Sequence, residues 1–146
     1  MYTGMFKAIE SGEDVLGFPA VIDYGARIED LLNVRPCTYV PAEINSENFP
    51  ADAKKGTQSI IVKLISFTCR PVFGEARTDE LLNAIAIDGF EPVDFRELVA
   101  AFNQYEAIQP LPRIFTLASA IDIDDDLMSP WVRESVKSRR IGFIKV

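Results

Sequence analysis

The chain has 146 residues and a net charge of −7, and its 48% apolar and 25% charged residues are typical of a globular protein. This length favours a single domain that buries its core without a metal or a disulfide, and the composition excludes intrinsic disorder. Histidine is absent from the sequence, which excludes nucleophilic catalysis that depends on a Ser–His or Cys–His pair.

The first half of the chain predicts two edge strands, a short helix and a surface loop. A short apolar run predicts an edge strand over Ala20–Tyr24, and apolar residues at helical spacing predict a short helix within Ala26–Asn33. Cys37–Ile44 is rich in β-forming residues, and Pro41 within it favours an edge strand. Asn45–Gly56 collects turn-forming residues and is typical of a surface loop.

The second half predicts the centre of the domain. Ser59–Cys69 is an apolar run interrupted by a single charged residue, Lys63, as expected for a central strand with both faces buried. Thr78–Ile87 predicts a helix, since Thr78 is a favourable N-cap and acidic residues follow it in the first turn.

A second helix is expected to follow at once and to end before Pro110. It begins either with Pro92 in its first turn or with Asp94 as the N-cap and Glu97 three residues later, a variant of the capping box. Apolar side chains then recur at helical spacing: Phe95, Leu98, Val99, Phe102 and Tyr105. The opposite, polar face is predicted to be exposed to solvent: Arg96, Glu97, Asn103, Gln104 and Glu106.

The remaining sequence predicts strands over Arg113–Ser119 and Arg139–Val146, joined by an acidic segment and a connection near Trp131 with room for a helical turn. These elements indicate an α+β fold: a single globular domain over residues 1–146 with a small mixed or antiparallel sheet and two consecutive helices packed on one face. Residues 58–146 form its β-α-α-β-β core. The sequence does not define how residues 1–57 join that core.

Two segments resemble a pattern found in a group of small uncharacterised bacterial proteins. Gly89–Ala100 (GFEPVDFRELVA) matches a helix start of the form G-h-x-P-x-x-h-x-E-L-h-A, and Pro112–Ser119 (PRIFTLAS) matches the hydrophobic strand that follows it. In that group an apolar strand and a short helix come first, as Ser59–Cys69 and Thr78–Ile87 do here. The resemblance covers about 60 residues, and it implies a strand-helix-helix-strand unit without implying an activity.

The charge of the last part of the chain is divided sharply. Glu75 to Asp126 contains twelve carboxylates and three arginines, whereas Ser129 to Val146 contains five basic residues and one glutamate. Such a division indicates a protein that works through its charged surface. We therefore expect a small, acidic, non-enzymatic protein that binds another macromolecule, most simply a protein, as an adaptor or inhibitor. The expected contact residues are Glu91, Asp94, Glu97, Glu106 and the sole tryptophan, Trp131.

An alternative is a cation-dependent module or enzyme that uses the cluster Asp122–Asp126. Asp122, Asp124 and Asp126 have the spacing of the first three ligands of a calcium loop. That loop also needs glycine at its sixth position and glutamate at its twelfth, where this chain has Leu127 and Arg133. The spacing therefore argues against an EF-hand and leaves a looser cation site, or a solvated turn, as the alternatives.

Further expectations concern partners and location. The net charge disfavours nucleic-acid binding except at the basic tail Arg139–Lys145, where Phe143 lies among cationic residues. Cys37 and Cys69 lack metal-site spacing and are expected to be reduced, and no cofactor is expected. No apolar run approaches the roughly 20 residues of a membrane span, and Met1–Glu10 does not begin a signal peptide, so a cytoplasmic protein is expected. A third alternative is a structural subunit of an oligomer.

Overall fold

Strands dominate the computed structural model, which describes residues 2–8, 17–67, 83, 89–104, 112–116, 118–134 and 138–145. The nine strands are β1 (Tyr2–Ala8), β2 (Phe18–Asp23), β3 (Cys37–Tyr39), β4 (Thr57–Phe67), β5 (Phe90–Pro92), β6 (Ile114–Phe115), β7 (Ile121–Ile123), β8 (Asp126–Glu134) and β9 (Arg139–Lys145). The described helices are α1 (Ile28–Leu32), α2 (Phe95–Gln104) and a 3-10 turn at Ala53–Lys55.

All nine strands belong to one mixed sheet. Its order is β2-β4-β1-β6-β8-β9-β3, with β5 paired to β1 and β7 paired to β8. The β1–β6 and β3–β9 pairs are parallel, and the other pairs are antiparallel. The N-terminal strand thus lies in the interior of the sheet, and β2 and β3 form its two edges.

Apolar side chains cover both faces of the sheet. In β1, the consecutive residues Met5 and Phe6 are 1% and 0% exposed, which requires burial on opposite faces because successive side chains alternate. The face of Met5 forms the main core with β2, β4, β8, β9 and both helices. On the other face, aromatic side chains are buried outside that cluster: Phe6, Phe90, Phe115 and Trp131.

Helix α2 lies against the main core and is buried on more than its apolar stripe. Phe95, Leu98 and Phe102 are fully buried, as their helical spacing predicts. The predicted solvent face of this helix is wrong at Arg96 and Glu97, which are 6% and 1% exposed. Both side chains are accommodated because internal hydrogen bonds satisfy them: the Arg96 guanidinium, for example, donates to the carbonyl oxygens of Ala26 and Phe49.

Gln104, at the end of α2, covers the backbone of edge strand β2. Its side-chain carbonyl accepts from Val21 N at 2.8 Å, and its side-chain amide donates to Val21 O at 2.7 Å. These are the two backbone groups that a neighbouring strand would use. The amide therefore occupies a pairing position at this edge of the sheet.

Strand β8 includes the segment in which a helical turn was expected, so that expectation is wrong. Pro130 lies in mid-strand opposite Phe143 of β9, and on the other side β6 ends at Phe115. The hydroxyl and N–H of Thr116 donate to Pro130 O at 2.7 and 3.3 Å. A proline is tolerated here because the β6–β8 ladder stops where its missing N–H would be needed.

The predicted fold class is also wrong. In place of a small sheet with two consecutive helices on one face, the described residues form a nine-stranded mixed sheet, and α2 is the one helix among them longer than five residues. The strand count was underestimated for two reasons. β1 is buried on both faces and shows no alternation, and Pro130 within β8 indicated a connection rather than a strand. The predicted helix Thr78–Ile87 lies outside the described residues except for Asn83, which is helical.

Other predicted elements are present with different bounds. The predicted edge strands correspond to β2 and β3, and the Ser59–Cys69 run corresponds to β4, which lies between β2 and β1. The short helix is α1, the capped helix is α2, and the last two predicted strands are β6 and β9. These segments were predictable because periodicity and turn residues mark them locally.

Close packing between Gly142 and Trp131 generates a first prediction. The two residues are partners in the β8–β9 ladder, and a methyl group added at Gly142 would lie 2.3 Å from Cζ2 of Trp131. Gly142→Ala should therefore lower the free energy of unfolding by about 1–3 kcal/mol through overpacking. Denaturant unfolding followed by Trp131 fluorescence measures the loss. Gly25→Ala, whose nearest contact is the Asp23 carboxylate at 3.3 Å, is the control; equal losses in both variants would contradict the packing argument.

Candidate functional site

The candidate site is a groove at the β3 edge of the sheet, on the side of α1. Its volume is about 520 Å³, within the range of ligand-binding clefts. The groove residues come from α1, the connection to β3, β3 itself and the chain beyond it: Glu29, Leu32, Asn33, Arg35, Pro36, Cys37, Val40 and Ile44. We call this feature the α1–β3 groove.

Local hydrogen bonds hold the two walls of the α1–β3 groove. Ile28 and Leu32 anchor α1 in the core, and the Glu29 carboxylate on the same helix accepts from the Ser46 N–H at 2.6 Å and from the Ser46 hydroxyl. Ile44 N donates to Pro41 O at 3.0 Å, which closes a turn below Val40. The far wall is therefore tied to α1 by a side chain rather than by a strand ladder.

The charge state of the groove follows from these contacts. Hydrogen bonding from Ser46 lowers the pKa of Glu29, so this carboxylate is ionised at neutral pH. Burial raises the pKa of the Cys37 thiol, and the charge of Glu134 adds to that effect, although Arg139 opposes it. A protonated thiol is a poor nucleophile, so the groove offers an apolar wall and two opposite charges, Glu29 and Arg35, rather than an activated cysteine.

A buried ionic network lies beside the groove. Glu134 and Arg139, paired across β8 and β9, are both fully buried, and Arg139 Nε donates to Glu134 Oε1 at 2.6 Å. Arg35 reaches the other oxygen of Glu134 at 3.1 Å, and Asn103 of α2 accepts from Arg139 Nη2 at 2.9 Å. The remaining nitrogen, Arg139 Nη1, is buried without a hydrogen-bond partner among the described residues. One carboxylate thus balances two guanidinium groups.

A second polar cluster contains residues predicted to bind a partner. Asp94 and Glu97 form the predicted capping box, since each side chain accepts from the other's N–H, at 2.8 and 3.0 Å. Glu97 Oε2 also accepts from Lys7 Nζ and from the Tyr24 hydroxyl, each at 2.6 Å. Burial and the neighbouring Glu97 charge raise the pKa of Asp94. Because Glu97 is 1% exposed, it contributes to the interior rather than to a docking surface.

The other predicted contact residues are scattered. Glu91 is exposed and lies 3.5 Å from Lys7, whereas Glu106 lies outside the described residues. Trp131 is 7% exposed, and the Arg113 guanidinium lies over its ring at 4.4 Å from the ring centroid. The structure therefore does not bring the predicted acidic residues and the tryptophan together in one exposed face.

The aspartate cluster forms a β-hairpin turn. Ile123 pairs with Asp126, and the two loop residues between them, Asp124 and Asp125, have φ of 51° and 67°. Positive φ at both positions is the requirement of a type I′ turn, which aspartate tolerates better than most residues. Asp126 pairs with Lys145 at 3.1 Å. Across the described part of the chain, no group of three or more Asp, Glu, Cys or His side chains is placed to hold a metal ion.

The basic tail is divided by its strand. Arg139 points into the buried network, Lys145 pairs with Asp126, and Arg140 between them is exposed. Consecutive residues of a strand face opposite sides, so a run of basic residues in sequence becomes two separate surfaces. Cys37 is a free thiol, and Cys69 lies outside the described residues.

Sequence reasoning did not identify the α1–β3 groove. Pro36 and Pro41 flank β3, and Pro41 was interpreted only as a sign of an edge strand. The apolar groove residues Leu32, Val40 and Ile44 are not contiguous in the sequence. The short spacing between two prolines around a three-residue strand is the signal that marks a turning chain here.

No known protein family, curated protein sequence or solved structure matches this chain. Among the described residues, no helix combines the length and apolar character needed to cross a bilayer.

The Glu134–Arg139 pair generates a second prediction. Glu134→Ala leaves a fully buried guanidinium without its carboxylate and should cost about 3–5 kcal/mol in the free energy of unfolding. Asp126→Ala removes the carboxylate from Lys145, where both side chains are substantially exposed, and should cost about 0–1 kcal/mol. Denaturant unfolding of the two variants measures the contrast. Similar losses in both would contradict the assigned burial.

The Glu97 cluster generates a third prediction, on alkaline stability. Burial and the hydrogen bond to Glu97 raise the pKa of Tyr24. Burial alone would lower the pKa of Lys7, but the hydrogen bond to Glu97 and the negative charge of Glu97 outweigh it, so the pKa of Lys7 is also raised. The folded protein therefore keeps protons that the unfolded chain releases above about pH 10, so this stabilisation is present below that pH and is lost as the pH rises. Free energies of unfolding should stay level up to about pH 10 and fall progressively as the pH rises further.

Tyr24→Phe removes one of these two protons and should make the alkaline decline shallower. Tyr39→Phe, at a 58% exposed tyrosine, is the matched control and should keep the wild-type slope. Equal slopes in the wild type and in Tyr24→Phe would contradict the role assigned to Tyr24.

Proposed function

We propose that the protein is a non-enzymatic binding protein that receives an apolar side chain of a partner protein in the α1–β3 groove. The observation that carries the proposal is the groove itself, with about 520 Å³ of space beside exposed apolar surface. Val34 lies between the groove residues Asn33 and Arg35 and is 59% exposed, the largest exposure among the described large hydrophobic side chains. An apolar groove beside exposed apolar surface favours partner binding.

The chemistry of the groove supports binding over catalysis. Its thiol is protonated at neutral pH because burial raises the pKa of Cys37, and its ionised groups are already engaged, Glu29 with Ser46 and Arg35 with Glu134. Leu32, Val40 and Ile44 contribute apolar surface. An aliphatic or aromatic side chain of the partner is the complementary group.

This proposal retains a protein partner but moves the contact surface. The acidic face from Glu75 to Asp126 is a weaker candidate, because Glu97 is buried and Glu91 and Asp126 are paired with lysines. Asp124 and Asp125 occupy the two positive-φ positions of the hairpin turn, which accounts for aspartate at these positions without a partner.

A groove-filling variant tests the proposal. Val40→Arg places a long charged side chain in the groove and should weaken partner binding at least tenfold. Val21→Arg is the matched control, since Val21 is 52% exposed and lies on β2, away from the groove. Partners are identified by quantitative affinity purification from source lysate, and dissociation constants are then measured with the purified partner.

Cys37 provides a readout inside the groove. A partner that occupies the groove should slow alkylation of Cys37, and peptide mass spectrometry distinguishes this thiol from Cys69. A purified partner that binds Val40→Arg as tightly as wild type and leaves Cys37 alkylation unchanged would overturn the proposal. A small molecule that co-purifies with the protein and protects Cys37 would replace the partner protein as the occupant.

A further inference from the structure

Two exposed arginines face each other across neighbouring strands. Arg133 of β8 and Arg140 of β9 are register partners, and both are exposed. Directly opposed residues in an antiparallel pair have Cβ atoms about 4.5–5.5 Å apart, and like charges at this position are destabilising. The next pair along the same ladder, Glu134 and Arg139, has opposite charges and faces the interior.

No carboxylate in the described part of the chain neutralises this pair. Five other cations there have acidic partners within 4 Å, among them Lys7 with Glu97 and Lys145 with Asp126. Arg133 and Arg140 have none among the described carboxylates. In a protein with a net charge of −7, an unneutralised pair of arginines is a local reversal of the overall field.

Aromatic and cationic groups extend the pair into a row across the sheet. Trp131 precedes Arg133 by two residues on the same strand and therefore shares its face, and the exposed Arg113 lies over the Trp131 ring. On the other side, an irregularity in β3 places the 58% exposed Tyr39 opposite Arg140. We call Arg113, Arg133 and Arg140 the arginine row.

We propose that the arginine row, together with Tyr39, binds the backbone of a single-stranded nucleic acid. Guanidinium groups form bidentate hydrogen bonds with phosphate oxygens, and an exposed aromatic ring stacks on an unpaired base. Together with Tyr39, the row extends from β3 across β9 and β8 to the start of β6, a width of about 14 Å at the usual spacing between strands, which accommodates a few nucleotides. Tyr39 distinguishes this ligand from an acidic protein segment, because carboxylates neutralise arginines but provide no ring to stack on it.

The row is not evident in the sequence. Arg113, Arg133 and Arg140 are separated by up to 27 positions, and in the basic tail Arg140 follows the buried Arg139. The sheet register brings them together. Because the overall charge of −7 repels a polyanion, binding should be weak and confined to low and moderate salt.

The sole tryptophan makes the proposal directly testable. A labelled single-stranded oligonucleotide of about 12 nucleotides is titrated into the full chain at low salt, with fluorescence anisotropy and Trp131 quenching recorded together. We expect saturable binding with the same midpoint in both signals. The logarithm of the binding constant should fall with the logarithm of salt concentration with a slope of about −2, as expected for three phosphate contacts on a single strand.

Matched variants separate the row from general charge effects. Arg133→Glu and Arg140→Glu should each weaken binding at least tenfold and reduce the salt slope by about 0.7. Arg27→Glu makes the same change at an exposed arginine outside the row and should have little effect. Tyr39→Ala should weaken binding and leave the salt slope unchanged, since stacking involves no phosphate. Circular dichroism checks the fold of each variant.

Three results would overturn the proposal. The first is an absence of saturable binding at low salt. The second is equal weakening by Arg27→Glu and Arg133→Glu, which would indicate unspecific attraction. The third is tighter binding of poly-glutamate than of the oligonucleotide, which would assign the row to an acidic protein segment instead.

Discussion

The carboxylate of Glu97 joins parts of the molecule that are far apart in sequence. It accepts hydrogen bonds from Lys7 of β1, from Tyr24 just beyond β2 and from the backbone at the start of α2. A buried carboxylate is costly unless every lone pair is used, so these contacts depend on one another. The position of α2 is therefore fixed by the strands beneath it, and the N-terminal strand is held in the sheet interior by a residue of the helix.

The other end of α2 is tied to the sheet in the same manner. Asn103 accepts from Arg139 of β9, whose charge is balanced by Glu134 of β8. Between these polar ends the helix packs through apolar side chains such as Leu98 and Phe102. Polar networks of this kind contribute little net stability compared with apolar packing, but they penalise any shift of the helix along the sheet. The same network holds one wall of the α1–β3 groove, since the groove residue Arg35 pairs with Glu134.

Local sequence signals predicted local elements and failed where tertiary contacts decide. The Asp94–Glu97 capping box, the helix after it and the strand β4 were predictable from spacing and propensity. The interior strand β1 was not, because burial on both faces removes the alternation on which strand prediction rests. Glu97 was expected in solvent because the local sequence does not show its partner, Lys7, which lies 90 residues away. The groove and the arginine row arise from sheet order, which no short motif encodes.

Gln104 affects how two copies of this protein can associate through the edges of their sheets. Its side-chain amide occupies the pairing groups of Val21 and so obstructs one margin of the described sheet, whereas β3 forms the other margin. Strand addition at β2 would have to displace the Gln104 side chain, so between these two margins β3 is favoured. Two copies that join through β3 in an antiparallel manner form a closed, twofold-symmetric dimer. Growth into a fibre requires two open margins per molecule, and the side chain of Gln104 obstructs one of them.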